Sequence, residues 1–145
     1  MGRLAGIARR DKKRAPMETL ESADISVTSG VAGDFRGKPG NRQVTLLSAR
    51  DWLSACEELG DELPWTVRRA NLFIDQFDLP KAAGHIIAIG PVRLRTTIEV
   101  DPCSRMDEQA PGLRKALQAD WRGGVACKVI EGGTVSVGDE VSVIQ

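Results

Sequence analysis

The sequence predicts a mainly β protein of the α+β kind, with one clear helix and a second, shorter one. Three observations carry this. Short stretches rich in Val, Ile, Leu and Thr recur between glycines and prolines, as strands bounded by turns do. Gly-Gly, Gly-Pro and Gly-Asp stand between successive stretches, where tight reversals are expected. Helical spacing of apolar residues occurs in only two places. With 145 residues, 41% hydrophobic and 28% charged, the expected organisation is a single domain over 1–145, large enough to bury most of its apolar surface.

Taken in chain order, the strands are expected at Gly2–Arg10, Ala23–Thr28, Val44–Leu47, His85–Ile89, Val92–Val100, Val125–Glu131, Thr134–Val137 and Glu140–Ile144. The helix follows the third of these. Ser48 is placed to cap it, Asp51 falls in its first turn where the helix dipole favours a carboxylate, and Gly60 ends it. Trp52, Leu53, Cys56 and Leu59 are expected along its inner face. The shorter helix runs from Gly112 to Asp120, with Pro111 near its start and Leu113, Ala116 and Leu117 inward. Glu131-Gly132-Gly133-Thr134 is expected to fold the stretch ending at Ile130 back on Val135–Val137 as a hairpin. Gly90-Pro91 and Gly138-Asp139 are expected to punctuate two further strand pairs. The loosely similar texts IAIGPVRL and VSVGDEVSV fit a repeated strand-corner-strand geometry in a barrel.

No apolar run approaches the roughly 18 residues of a membrane helix. The opening MGRLAGIARR lacks a secretory pattern, and Gly6 stands where a myristoylation signal needs Ser or Thr. A cytoplasmic protein without membrane association is expected. The single histidine, His85, excludes two-His zinc sites and leaves triad chemistry resting on one side chain. Cys56, Cys103 and Cys127 are odd in number and far apart, without a CxxC pair, so reduced thiols are expected. Cys56 and Cys127 read as packed core residues.

Twenty basic and twenty acidic residues cancel, but residues 1–50 hold ten Lys/Arg against five Asp/Glu, and the rest reverses the balance. Such a dipole suits an anion held by the N-terminal third, or a solvated basic face. Nucleic acid is not an expected partner, with aromatics at 4% and no recognition motif.

Three constellations could carry chemistry. Cys103 follows the long strand ending at Val100, and Pro102 marks the departure from the sheet, so the thiol is expected on a loop. Arg105 favours its thiolate while Asp101 and Asp107 oppose it, which leaves a nucleophile, a soft metal ligand or a packed thiol open. The stretch from Gly30 to Arg42 gathers four glycines with Arg36, Lys38 and Arg42. It is either a phosphate cradle of backbone amides and guanidiniums or a connecting loop. Arg68, Arg69 and Asn71 precede the apolar run Leu72-Phe73-Ile74 and are either an anion clamp with an amide for a heterocycle edge, or ordinary surface pairs.

The order of GVAGDFRG, Arg42-Gln43-Val44-Thr45, Arg68-Arg69-Ala70-Asn71-Leu72 and IGPVRLRTTIEVDPCSRMDE resembles that of MOSC domains, the module named for the C-terminal part of molybdenum cofactor sulfurase. The Pro-Cys-x-Arg piece is its most specific part. The resemblance implies a MOSC-type β-barrel and a cysteine, here Cys103, that carries sulfur or ligates molybdenum. It implies molybdenum cofactor (molybdopterin) as ligand, with Arg42, Arg68, Arg69 and Asn71 holding the pterin phosphate and edge, and Arg36, Lys38 and Arg105 beside them. Pyridoxal phosphate belongs to an aminotransferase-like domain of fused relatives for which 145 residues have no room. Iron–sulfur and flavin fingerprints are absent from the sequence, so redox turnover would need separate electron-transfer proteins.

Three functions are compatible with these residues. One is a molybdenum-cofactor protein that reduces small N-hydroxylated substrates with partner electron carriers. Another is a persulfide carrier loaded by a cysteine desulfurase. The third is a noncatalytic β module that meets a protein partner. Exposed strand edges would also accommodate a homodimer.

Overall fold

The computed structural model describes residues 2–145; Met1, in the stretch read as lacking a myristoylation signal, lies outside them. In chain order the elements are β1 (Gly2–Arg9), β2 (Glu18–Leu20), β3 (Ser22–Ser26), β4 (Gly30–Val31), β5 (Val44–Ser48) and α1 (Ala49–Leu59). A 3-10 turn (Trp65–Arg68) then leads to β6 (Leu72–Asp75), β7 (Ile86–Ile89), β8 (Val92–Glu99), α2 (Ser104–Gln109) and α3 (Leu113–Gln118). A second 3-10 turn (Ala119–Trp121), β9 (Val125–Glu131), β10 (Gly133–Ser136) and β11 (Glu140–Val143) complete the chain.

Seven strands close a barrel in the order β11-β7-β8-β9-β5-β6-β1, with β1 pairing back to β11 at Gly2 opposite Val141. Closure removes the free edges that an open sheet would present. β5 and β6 are the parallel neighbours, because α1 carries the chain across between them. β2 adds to β1 on the outside, and β10, β3 and β4 form a small second sheet.

Alternation along the strands builds two cores. Leu46, Leu72 and Ile74 turn into the barrel with Leu4, Ile7, Ile87 and Leu94. Leu47 and Phe73, one position along, turn outward to meet Trp52, Cys56, Met106, Leu113 and Leu117 from the helices. Trp65 stacks on Phe73 with ring centroids 4.9 Å apart. Gly6 leaves room for that indole, since a Cβ there would lie 2.7 Å from it.

The long helix matches its sequence signals. Ser48 accepts from the Asp51 amide, and Gly60 closes α1 in the left-handed region at φ 78°. One expected face residue does not belong: Leu53 is 58% exposed, because the buried stripe runs through Trp52, Ala55 and Cys56 and excludes it. The shorter helix is confined to Leu113–Gln118, inside the expected Gly112–Asp120, and Asp120 turns left-handed at φ 52°.

The Gly132-Gly133 hairpin does not form. β9 pairs with β5 and β8, whereas β10 pairs with β3 in the other sheet. These glycines permit close approach instead of reversal: a Cβ on Gly132 would lie 2.6 Å from the Ile25 carbonyl, and one on Gly133 2.7 Å from Pro91. Gly90-Pro91 does join a pair, β7 to β8. Gly138-Asp139 is a corner between the two sheets, held by the Asp139 amide on the Ser136 carbonyl and the Ser136 amide on the Asp139 carboxylate. Among the described residues no helix is long and apolar enough to cross a membrane.

Candidate functional site

A cavity of about 190 Å³ opens at the end of the barrel where β1 leaves and β5 and β6 begin. Its wall takes Arg10 from the exit of β1, Arg36 and Arg42 from the loop after β4, and Thr45 from β5. Arg68, Arg69 and Asn71 come from the segment entering β6, and Asp101, Cys103 and Arg105 from the segment leaving β8. Seven side chains in the lining are cationic, with Lys13 the seventh, against two carboxylates, Asp34 and Asp101.

Cys103 is exposed at this cavity, while Cys56 and Cys127 are buried. It stands at the junction of the loop and the six-residue helix α2, its carbonyl accepting from the Met106 amide. Burial raises the Cys127 thiol far above its ordinary range and keeps it neutral.

The cations differ in how they are engaged. Arg10 and Arg69 each carry a buried guanidinium nitrogen, Nη1 and Nε respectively, with no hydrogen-bond partner among the described residues. Burial lowers the pKa of Arg10; Arg69 and Arg36 push it further the same way, and Asp34 opposes them. Arg69 is lowered by burial and then by Arg105. These guanidiniums repel one another where an anion would relieve them. Arg69 itself sits at φ 68°, a left-handed conformation that costs a non-glycine residue on the order of 1 kcal/mol, and donates from Nη2 to the Ala15 carbonyl. Arg10 is steadied by its amide on the Asp34 carboxylate at 3.1 Å and by the Phe35 ring, 6.0 Å beneath its guanidinium.

Arg68 is 7% exposed and is engaged with the protein. Its Nε donates to the Gly123 carbonyl at 2.9 Å and its Nη2 to the Val100 carbonyl at 2.8 Å. Burial pushes its pKa down to about 10, with the Cys103 charge acting in the opposite direction. It stays charged at neutral pH. Asn71 reaches the cavity wall but its amide ties three strands together: Oδ1 accepts from the Thr45 amide and hydroxyl, and Nδ2 donates to the Ala8 carbonyl.

The structure therefore brings Cys103, Arg36, Arg42, Arg68, Arg69, Asn71 and Arg105 to one cavity, whereas Lys38 is exposed and does not line it. The glycine loop contributes side chains, not an amide cradle. The amides of Ala32, Asp34, Phe35, Arg36 and Gly37 all donate within the protein. Gly37 presses against Ser29, where a Cβ would overlap the carbonyl. Buried Gln43 pins this loop, donating to the Val27 and Gly37 carbonyls and accepting from the Val129 amide. Sequence reasoning missed Arg10, Lys13 and Asp34; the basic excess of residues 1–50 was the signal that contained the two cations.

Among solved structures, the YuaD protein from Bacillus subtilis superposes with a TM-score of 0.82 at 21% identity, covering 99% of this chain and 96% of that one. YiiM from Geobacillus stearothermophilus gives 0.79 at 13% identity, over 100% of this chain and 76% of its own. YiiM from Escherichia coli gives 0.72 at 15% identity, over 99% and 70%. These likenesses establish a shared fold. No curated protein matches the sequence. A family model described as MOSC domain matches residues 26–142, nearly the whole chain, and the chain belongs to the MOSC domain family.

Proposed function

We propose that this protein binds molybdenum cofactor, with the Cys103 thiolate as a metal ligand and the surrounding guanidiniums holding the pterin phosphate. The observation that carries the reading is the pairing of an exposed thiol with unpartnered, buried guanidinium nitrogens in one cavity. The residues fit the group. A thiolate is a soft donor suited to molybdenum, and a phosphomonoester supplies the acceptors that Arg10 Nη1 and Arg69 Nε lack. Among the described residues no three His, Cys, Asp or Glu side chains gather to hold a metal, so a metal here must bring most of its ligands with it. A pterin dithiolene does that.

Arg10, Arg36, Arg69 and Arg105 would bind and orient the anionic end, and Arg42 would add charge near Cys103. Bound molybdenum would supply two-electron chemistry, proposed here as reduction of small N-hydroxylated compounds with electrons from a separate carrier protein. Asp34 fixes the Arg10 backbone through its amide and moderates the repulsion among the cations.

Phosphorus and molybdenum analysis of protein purified from a cofactor-competent host tests this reading. The expected result is near-equal amounts of both, about one per chain. Protein with neither element overturns it. A single extra sulfur on Cys103 in place of metal would instead identify the persulfide carrier.

A further inference from the structure

We propose that Arg68 is the positioning residue for Cys103, holding the loop that presents the thiol instead of gripping an anion. The proposal builds on the reading of Cys103 as the reactive group. Cys103 is bracketed by one buried side chain. Three residues before it, the Val100 carbonyl accepts from Arg68 Nη2 at 2.8 Å; three residues after it, the Met106 sulfur lies 3.8 Å from Arg68 Nη1. The remaining contact, Nε to the Gly123 carbonyl at 2.9 Å, anchors the guanidinium to the turn before β9.

That turn holds the same loop a second time, because the Val100 amide donates to the Gly124 carbonyl at 3.0 Å. Val100, Gly124, Gly123 and Arg68 thus form a closed circuit, and both backbone polar groups of Val100 are fixed by it. The circuit requires glycine at 123: a Cβ there would overlap the Val100 carbonyl and lie 3.1 Å from Arg68 Nη2. A planar fork with three differently directed donors is needed to span Gly123, Val100 and Met106 at once. Lysine keeps the charge but not that geometry.

Two variants test the proposal from opposite sides. Arg68→Lys removes the fork, and Gly123→Ala wedges the same contact while leaving the guanidinium in place. Amide exchange at Val100 and Met106 is expected to accelerate about tenfold or more in both, with the barrel strands unchanged. Wild-type exchange there in both variants overturns the proposal. If Arg68→Lys does not fold, Gly123→Ala decides alone.

The second readout is metal and phosphorus content in a double-mutant cycle. Arg68→Lys is expected to lower molybdenum as Cys103→Ser does, with no further loss in the double variant. Additive loss of molybdenum and phosphorus would make Arg68 an independent anion anchor and defeat the proposal. Wild-type protein without molybdenum sinks the proposed function, while the exchange measurement still decides the role of Arg68.

Discussion

Cys103, Cys56 and Cys127 form an internal comparison of three thiols in one chain. Cys103 is exposed beside a ring of cations, and the other two sit in the helix-side core and the barrel core. Iodoacetamide should therefore modify Cys103 at least about a hundredfold faster than either neighbour in folded protein, read by peptide mass spectrometry. Equal rates would remove the basis for any chemistry at Cys103. This residue was legible because it is the cysteine that follows a strand and a proline, where neither helix nor sheet periodicity claims it. Arg10 was not, since its approach to Arg69 and Arg36 depends on segments far apart in the chain. Nor could the sequence separate Arg68 from Arg69: one is bound to backbone carbonyls and the other keeps a nitrogen unpartnered, and only the turn at Arg69 makes that difference.

At the scale of elements, the first turn of α1 is expected to make stability depend on pH. Burial raises the Asp51 carboxyl above its ordinary range, Lys81 opposes this at 3.8 Å, and Asp120 and Asp78 add to it. A raised native pKa means that the folded state holds the proton more tightly than the unfolded chain. The stabilisation is present below the ordinary carboxylate pKa and is lost as pH rises through the native one. Asp51→Asn is neutral throughout, so it should melt higher than wild type at pH 7, the gain vanishing toward about pH 4. A gain independent of pH would contradict this origin. In the loop after β4, Gly37→Ala should cost about 2 kcal/mol or more in a denaturant melt, because a Cβ there meets the Ser29 carbonyl. Unchanged stability would show that the loop yields freely. Glycines are also where element-level reading failed. Gly132-Gly133 has the composition of a hairpin turn, but those positions are dictated by the nearness of Ile25 in β3 and Pro91 in the turn between β7 and β8. α1 was legible because its cap, periodicity and terminator are all local.

Across the whole molecule, the charge asymmetry gains a location. Four of the seven cavity cations, Arg10, Lys13, Arg36 and Arg42, come from the basic first third, and the thiol comes from the acidic remainder. Barrel closure makes their meeting possible, since the β1–β6 and β5–β6 pairings set the exit of β1 beside the entries of β5 and β6, while the β8–β9 pairing sets the exit of β8 beside the turn before β9. In the proposed function, the sulfur of Cys103 holds a metal that its cationic surroundings help retain. Molybdenum content of wild type and Cys103→Ser, purified side by side from the same cofactor-competent host, tests it most directly. About one metal per wild-type chain is expected, and under about a tenth of that in the variant, the scale of loss when a soft ligand is removed. Equal metal in the two proteins would contradict it.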